Sequence, residues 1–234
     1  MSNVTQPVSD HLDWRDTVTW YTHKTWVAKV THVVGGNLLL RLFAKTDCAG
    51  QENVPTTGPF IIAANHIHFF DIIFFGRDTP RYPHFMAKRE LYKNRLFGWY
   101  IRQLGSFPVS RGEGDMWALR HASRILAAGK PLFIFPEGTR SGHKAQLKRG
   151  KLGAVRLALK HQVPIVPAAI WGTENFRYKP TRANKINIRF GQPLDVVSLA
   201  GPKPHSHEKL RELTDDMMQQ IAAMLPPEYR GVYG

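Results

Sequence analysis

From about residue 58 onward, short apolar or β-branched runs alternate with segments of helical spacing, and few folds can accommodate that pattern. The runs are "PFIIAAN", "YPHFMAK", "GSFPV", "PLFIFPEG", "PIVPAAIWG" and "KINIRFG". Each is short enough to be a strand, and the segments between them carry apolar residues at helical intervals. Leu152, Val155 and Leu159 make one helical stripe, and Leu210, Leu213, Met217, Ile221 and Met224 make another. Strands alternating with helices define an α/β domain, and 234 residues suffice to bury one full core. The Pro/Gly-rich "LAGPKPHSH" reads as a loop before the last helix.

Residues 13–45 follow a different pattern. They hold three of the six tryptophans and a break at Gly35-Gly36, and they read as an amphipathic two-helix segment. Trp14, Val18 and Tyr21 share one helical face, whereas Trp26, Val30, Val33 and Val34 share another. Two readings stand: a helical pair packed on the core, or a hairpin lying in a lipid interface. In the second, Trp14, Trp20, Trp26 and the "NLLLRLF" run point inward, and Lys24, Lys29, Arg41 and Lys45 face anionic lipid. Residues 1–12 are expected to be disordered and 46–234 to form the α/β domain.

Lys plus Arg exceed Asp plus Glu by 32 to 18, a net charge of +14, which calls for an anionic partner: nucleic acid, an acidic membrane surface or a phosphorylated substrate. Nucleic acid is disfavoured, because the chain has no RNA-recognition signature or zinc finger and its aromatics sit in apolar runs. A single cysteine, Cys48, rules out an intrachain disulfide, and the scattered histidines lack metal-ligand spacing, so neither a metal nor a cofactor is expected. No basic-then-apolar leader opens the chain and no 18 apolar residues run together. The expectation is a protein that is neither exported nor membrane-spanning.

Polar groups that are costly to bury interrupt the apolar stretch "AANHIHFFDIIFF". "PFIIAAN" ends as a buried strand, so His66 and Asp71 flank a strand-to-helix turn across which the carboxylate can reach back to the imidazole. The pair is either a helix cap beside a core histidine or an oriented general base. Two further strand ends carry anion-binding groups: "GSFPVSRG" places Arg111, and "FIFPEGTRSG" places Glu137, Gly138, Thr139 and Arg140. Three strand ends, one base and two arginines suggest one cleft.

In order along the chain, "NHIHFFD", "FPVSR", "FPEGTRS" and "VPIVPAAI" resemble the four blocks of the glycerolipid acyltransferase superfamily, in particular the bacterial 1-acylglycerol-3-phosphate acyltransferases. The likeness covers about residues 55–172, with His68 where the family often has serine. It implies a mixed, mostly parallel sheet flanked by helices, and transfer of an acyl group from acyl-CoA or acyl carrier protein to lysophosphatidic acid. His66 would be the base and Asp71 its partner. Arg111, Arg140 and Lys88 would hold the acceptor phosphate, with Asn65, Glu137, Gly138 and Thr139 positioning the substrate. Cys48 lies outside every block and no nucleophile elbow is present, so direct transfer is expected. Such an enzyme would sit peripherally on the cytoplasmic face of an anionic membrane. The alternatives carried alongside are another lysolipid or an amino-lipid as acceptor, and a basic nucleic-acid-binding protein.

Overall fold

A computed structural model describes residues 13–20, 25–31, 34, 40–110, 114–177, 179 and 183–234. Seven strands form one sheet: β1 (Lys45–Ala49), β2 (Ile61–Ala64), β3 (His84–Lys88), β4 (Ser106–Val109), β5 (Leu132–Ile134), β6 (Ile165–Trp171) and β7 (Lys185–Phe190). Their order is β1-β7-β6-β2-β5-β3-β4. Every neighbouring pair is parallel except β6 and β7. Pro108, which cannot donate to a ladder, is tolerated because β4 is an edge strand.

Side chains alternate across the sheet as strand geometry requires. Ile61, Ala63, Leu132 and Ile134 face one side, where α5 (Met116–Ala127), α6 (Gly153–His161) and α8 (His207–Met224) contribute Trp117, Val155, Met217 and Ile221. Ile62, Ala64 and Phe133 face the other, against Phe74 and Phe75 of α3 (Asp71–Asp78) and Ile101 of α4 (Arg95–Gln103). Phe60, Phe74, Phe75, Phe107 and Phe133 are fully buried, each worth roughly 1.5–3 kcal/mol relative to exposure. Val155 and Leu159 of α6 and the whole expected stripe of α8 pack in this core, whereas Leu152 precedes α6 and is half-buried.

One strand was not legible in the sequence. β1, "KTDCA", has no apolar run because it is an edge strand with alternate residues exposed, and it draws the start of the sheet one residue into the expected N-terminal segment. That segment also divides. Arg15 is buried in ion pairs with Asp13 and, at 2.6 Å, with Asp115. Trp20 donates from Nε1 to the Arg15 carbonyl at 2.6 Å and meets Tyr92 and Trp117 edge-on. Trp14 and Trp20 are therefore packed against the domain, and the expectation that they insert into lipid is corrected. In contrast, α1 (Trp26–Val30) and α2 (Leu40–Phe43) leave Trp26 74% exposed, with Val30 and Leu42 also exposed. The expected disordered residues 1–12, together with Tyr21, Lys24 and Val33, lie outside the described residues. No helix among the described residues is long and apolar enough to cross a membrane.

After α8, single helical turns at Pro227–Tyr229 and Gly231–Tyr233 fold back over the domain. The Leu147 amide donates to the Tyr229 carbonyl at 2.9 Å, and the Val232 amide donates to the Leu147 carbonyl at 3.3 Å. Gly231 is needed there: its φ is +55°, and a Cβ would stand 2.2 Å from the Leu147 oxygen.

Candidate active site

The parallel strands β2, β5, β3 and β4 lie side by side, and their carboxyl ends bring the polar blocks together, as open α/β sheets do. His66 follows β2, and Asp71 opens α3 after a short turn. Asp71 Oδ2 lies 2.9 Å from His66 Nδ1 and accepts the Ile67 and His68 amides at 2.6 and 2.8 Å. The carboxylate is fully buried in the first turn of α3, where the helix dipole favours negative charge. Its Oδ1 has no hydrogen-bond partner among the described residues. The His66 ring stacks on Phe135 at 3.8 Å and 11°.

Residues 137–141 hold the backbone of the histidine from both sides. The His66 amide donates to Glu137 Oε1 at 2.8 Å, and the Ser141 amide donates to the His66 carbonyl at 2.8 Å. Glu137 Oε2 accepts the Lys148 amide at 3.0 Å, and Lys148 Nζ donates to the Arg140 carbonyl at 2.9 Å. Burial pushes the Glu137 carboxyl up to about 7, against the pull of these two amides. Gly138, at φ +71°, turns the loop, and a Cβ there would meet Lys151 Nζ at 2.9 Å.

Two cavities meet at His66. One, of about 390 Å³, is mostly apolar, lined by Phe69, Phe70, Ile73, Tyr82 and Tyr100, with Lys88 and Arg140 also on its wall. The other, of about 700 Å³, passes Pro136, Gly138 and Lys151 and runs between α5 and α6.

Of the expected site residues, His66, Asp71, Glu137, Gly138, Lys88 and Arg140 are brought together. Lys88 also lies 3.5 Å from Glu90. Thr139 is exposed beside them. Arg111 lies outside the described residues. Asn65 is a correction: its side-chain amide donates to the Ile170 carbonyl and accepts the Ile170 amide, both at 2.8 Å, so it joins β2 to β6 and does not face the cleft. Burial lowers the affinity of His68 for protons, with the Arg140, His66 and His143 charges adding to the effect and Asp71 opposing it. Cys48 sits on β1 at the far edge of the sheet, its thiol pushed up to about 12 by burial. Sequence reasoning missed Phe135, Ser141, Lys148 and Lys151. Lys148 and Ser141 act through backbone amides, which leave no signature in residue type. The basic "KRGK" was the one available hint of Lys151.

A three-layer α/β fold that sets a carboxylate-held histidine beside an apolar cavity carrying Lys88 and Arg140 suits proton transfer on a lipid-like, anionic substrate. Residues 45–171 match the family model described as Acyltransferase, and the chain belongs to that family. It is 31% identical over 185 residues to the 1-acyl-sn-glycerol-3-phosphate acyltransferase of Bacillus subtilis, covering 79% of this chain and 90% of that protein. The enzyme of the same name from Streptococcus pneumoniae is 27% identical over 173 residues, and the match spans 73% of this chain and 59% of that one. The crystal structure of the 1-acyl-sn-glycerophosphate acyltransferase PlsC from Thermotoga maritima aligns with a TM-score of 0.64 at 30% identity, over 81% of this chain and 75% of that one.

Proposed function

We propose that the chain transfers a fatty acyl group from an acyl thioester to the free hydroxyl of 1-acylglycerol-3-phosphate, giving phosphatidic acid, with His66 as general base. The observation that carries this reading is the His66–Asp71 pair, set where the apolar cavity and its two cations meet. A ring held at Nδ1 by a carboxylate takes up a proton at Nε2. As the acceptor hydroxyl attacks the thioester carbonyl, its proton passes to His66 and Asp71 stabilises the imidazolium. The tetrahedral intermediate then expels the thiolate, which recovers that proton. One C–O bond forms, one C–S bond breaks, and no acyl-enzyme is needed.

Arg140 and Lys88 supply the charge for the acceptor phosphate, and the apolar walls accommodate an acyl chain. Glu137 acts on backbone: it joins the His66 turn to Lys148 and so fixes the position of the base. Trp26 and Val30 on α1 and Leu96 and Trp99 on the α4 helix that it touches are exposed apolar side chains suited to a bilayer interface, which supports peripheral attachment. The test is turnover by purified protein on a panel of lysolipids with an acyl thioester, products resolved by mass. Phosphatidic acid as the main product is expected; preferred acylation of a lysolipid without a phosphomonoester overturns the acceptor assignment.

A further inference from the structure

The larger cavity has no part in holding the acceptor, and its construction differs from that of the apolar one. At His66 it is walled by Met86 and Val109, whereas its walls on the helices carry Arg120 from α5 and Arg156 and Lys160 from α6. All three are exposed, and none has a carboxylate partner among the described residues. Asp115, which also lines this groove, is paired with Arg15 and takes the Ser110 and Ala118 amides. Arg156 and Lys160 are like charges at i and i+4, an arrangement that costs a helix stability unless something anionic lies between them. The first residues of α6, Gly153 and Ala154, line the same groove, and no side chain caps that helix end.

We propose that this groove between α5 and α6 receives the phosphopantetheine arm of the acyl-thioester donor, with Arg120, Arg156 and Lys160 binding its phosphate. The inference rests on the acyl-transfer reading of His66 and adds to it the route by which the donor enters. The arm carries a thioester at one end, an amide-linked chain between, and a phosphate at the other. The groove has the reacting imidazole at one end and cations at the other, with Lys160 about 10 Å along α6 from Gly153 at 1.5 Å per residue. The acceptor phosphate does not compete for these cations, because Lys88 and Arg140 line the other cavity. Location agrees: α5 and α6 cover the sheet face opposite α3 and α4, so the groove opens away from exposed Leu96 and Trp99. A water-soluble carrier can approach there while the lipid-facing side stays engaged.

The test is charge reversal at Arg156→Glu and at the Arg120→Glu/Lys160→Glu pair, with Lys185→Glu on β7 as a control for net charge. Donor KM is measured with an acyl-CoA, an acylated carrier protein and an acyl-pantetheine that lacks the phosphate. Expected are increases of roughly tenfold or more for a phosphorylated donor, the scale of one lost charge-assisted phosphate contact. The acyl-pantetheine, the KM for lysophosphatidic acid and the Lys185→Glu enzyme should be unchanged. Whichever carrier shows the effect identifies the source of the arm. Unchanged KM for both phosphorylated donors overturns the proposal, as does a rise confined to the acceptor. Equilibrium binding of acyl-CoA and of the acylated carrier needs no acceptor. If the wild type fails to acylate lysophosphatidic acid yet binds the donor, and the charge-reversed variants lose that binding, the acceptor reading falls and the groove assignment stands.

Discussion

Replacing His66 by alanine removes the base and leaves the rest of the turn intact, because Glu137 and Ser141 hold its backbone and not its ring. Turnover should fall by ~10² to 10⁴, the usual contribution of a placed general base, with an unchanged melting profile as the check that the fold survives. Cys48→Ala should be nearly silent, since its thiol is half-buried on an edge strand away from the site. A large loss of rate there would point to a thiol nucleophile instead. Arg140 decides between acceptors. Arg140→Ala should lower kcat/KM for a phosphomonoester lysolipid by roughly tenfold to a hundredfold, and much less for an acceptor without one. Arg140→Lys should recover part of the loss, because an ammonium keeps the charge without the paired donors. An unchanged ratio of the two specificity constants would make Arg140 structural. Residue type made His66, Asp71 and Arg140 legible beforehand. It misassigned Asn65, because an amide that ties two strands together and one that meets a substrate are the same letter in a sequence.

At the scale of elements, α5 carries a titration unrelated to catalysis. His121 is buried, stacked on Trp117 at 5.0 Å and 3°, and burial lowers it from 6.5 to about 4, with the Arg124 and His84 charges adding. Unfolding returns it to the higher value, so the unfolded chain binds the proton first, and the folded state loses stability as pH falls from about 6.5 toward about 4. His121→Phe, which keeps a ring against Trp117, should lose less of its melting temperature between pH 7 and pH 5 than wild type does. Equal losses would place the acid sensitivity elsewhere. The six strands from β2 to β7 were legible because each carries apolar or β-branched residues that the core covers. β1 was not, because pairing an exposed edge to β7 demands only backbone. The division of the N-terminal segment was hidden for a related reason: Trp20 and Trp26 are identical in type, and only tertiary packing sets one against the core and leaves the other exposed.

For the whole molecule, a net charge of +14 combined with an exposed apolar face predicts attachment driven by two forces at once. Trp26→Ser/Leu96→Ser should reduce co-sedimentation with anionic liposomes while leaving the melting temperature within a degree or two, since both side chains are mostly exposed. Binding that is unaffected by these changes but abolished by salt would mean adsorption by charge alone. The tail after α8 has a consequence for motion. Val232 and Tyr229 bracket Leu147, the next residue donates to Glu137, and Glu137 receives the His66 amide. These amides form a relay in which no link opens without disturbing the next, so their hydrogen exchange should proceed as one cooperative unit. Loosening the last nine residues, for example with a side chain at Gly231, should raise the exchange rate of the His66 amide although the two lie far apart in the sequence. The base would then be felt to breathe from the opposite end of the chain.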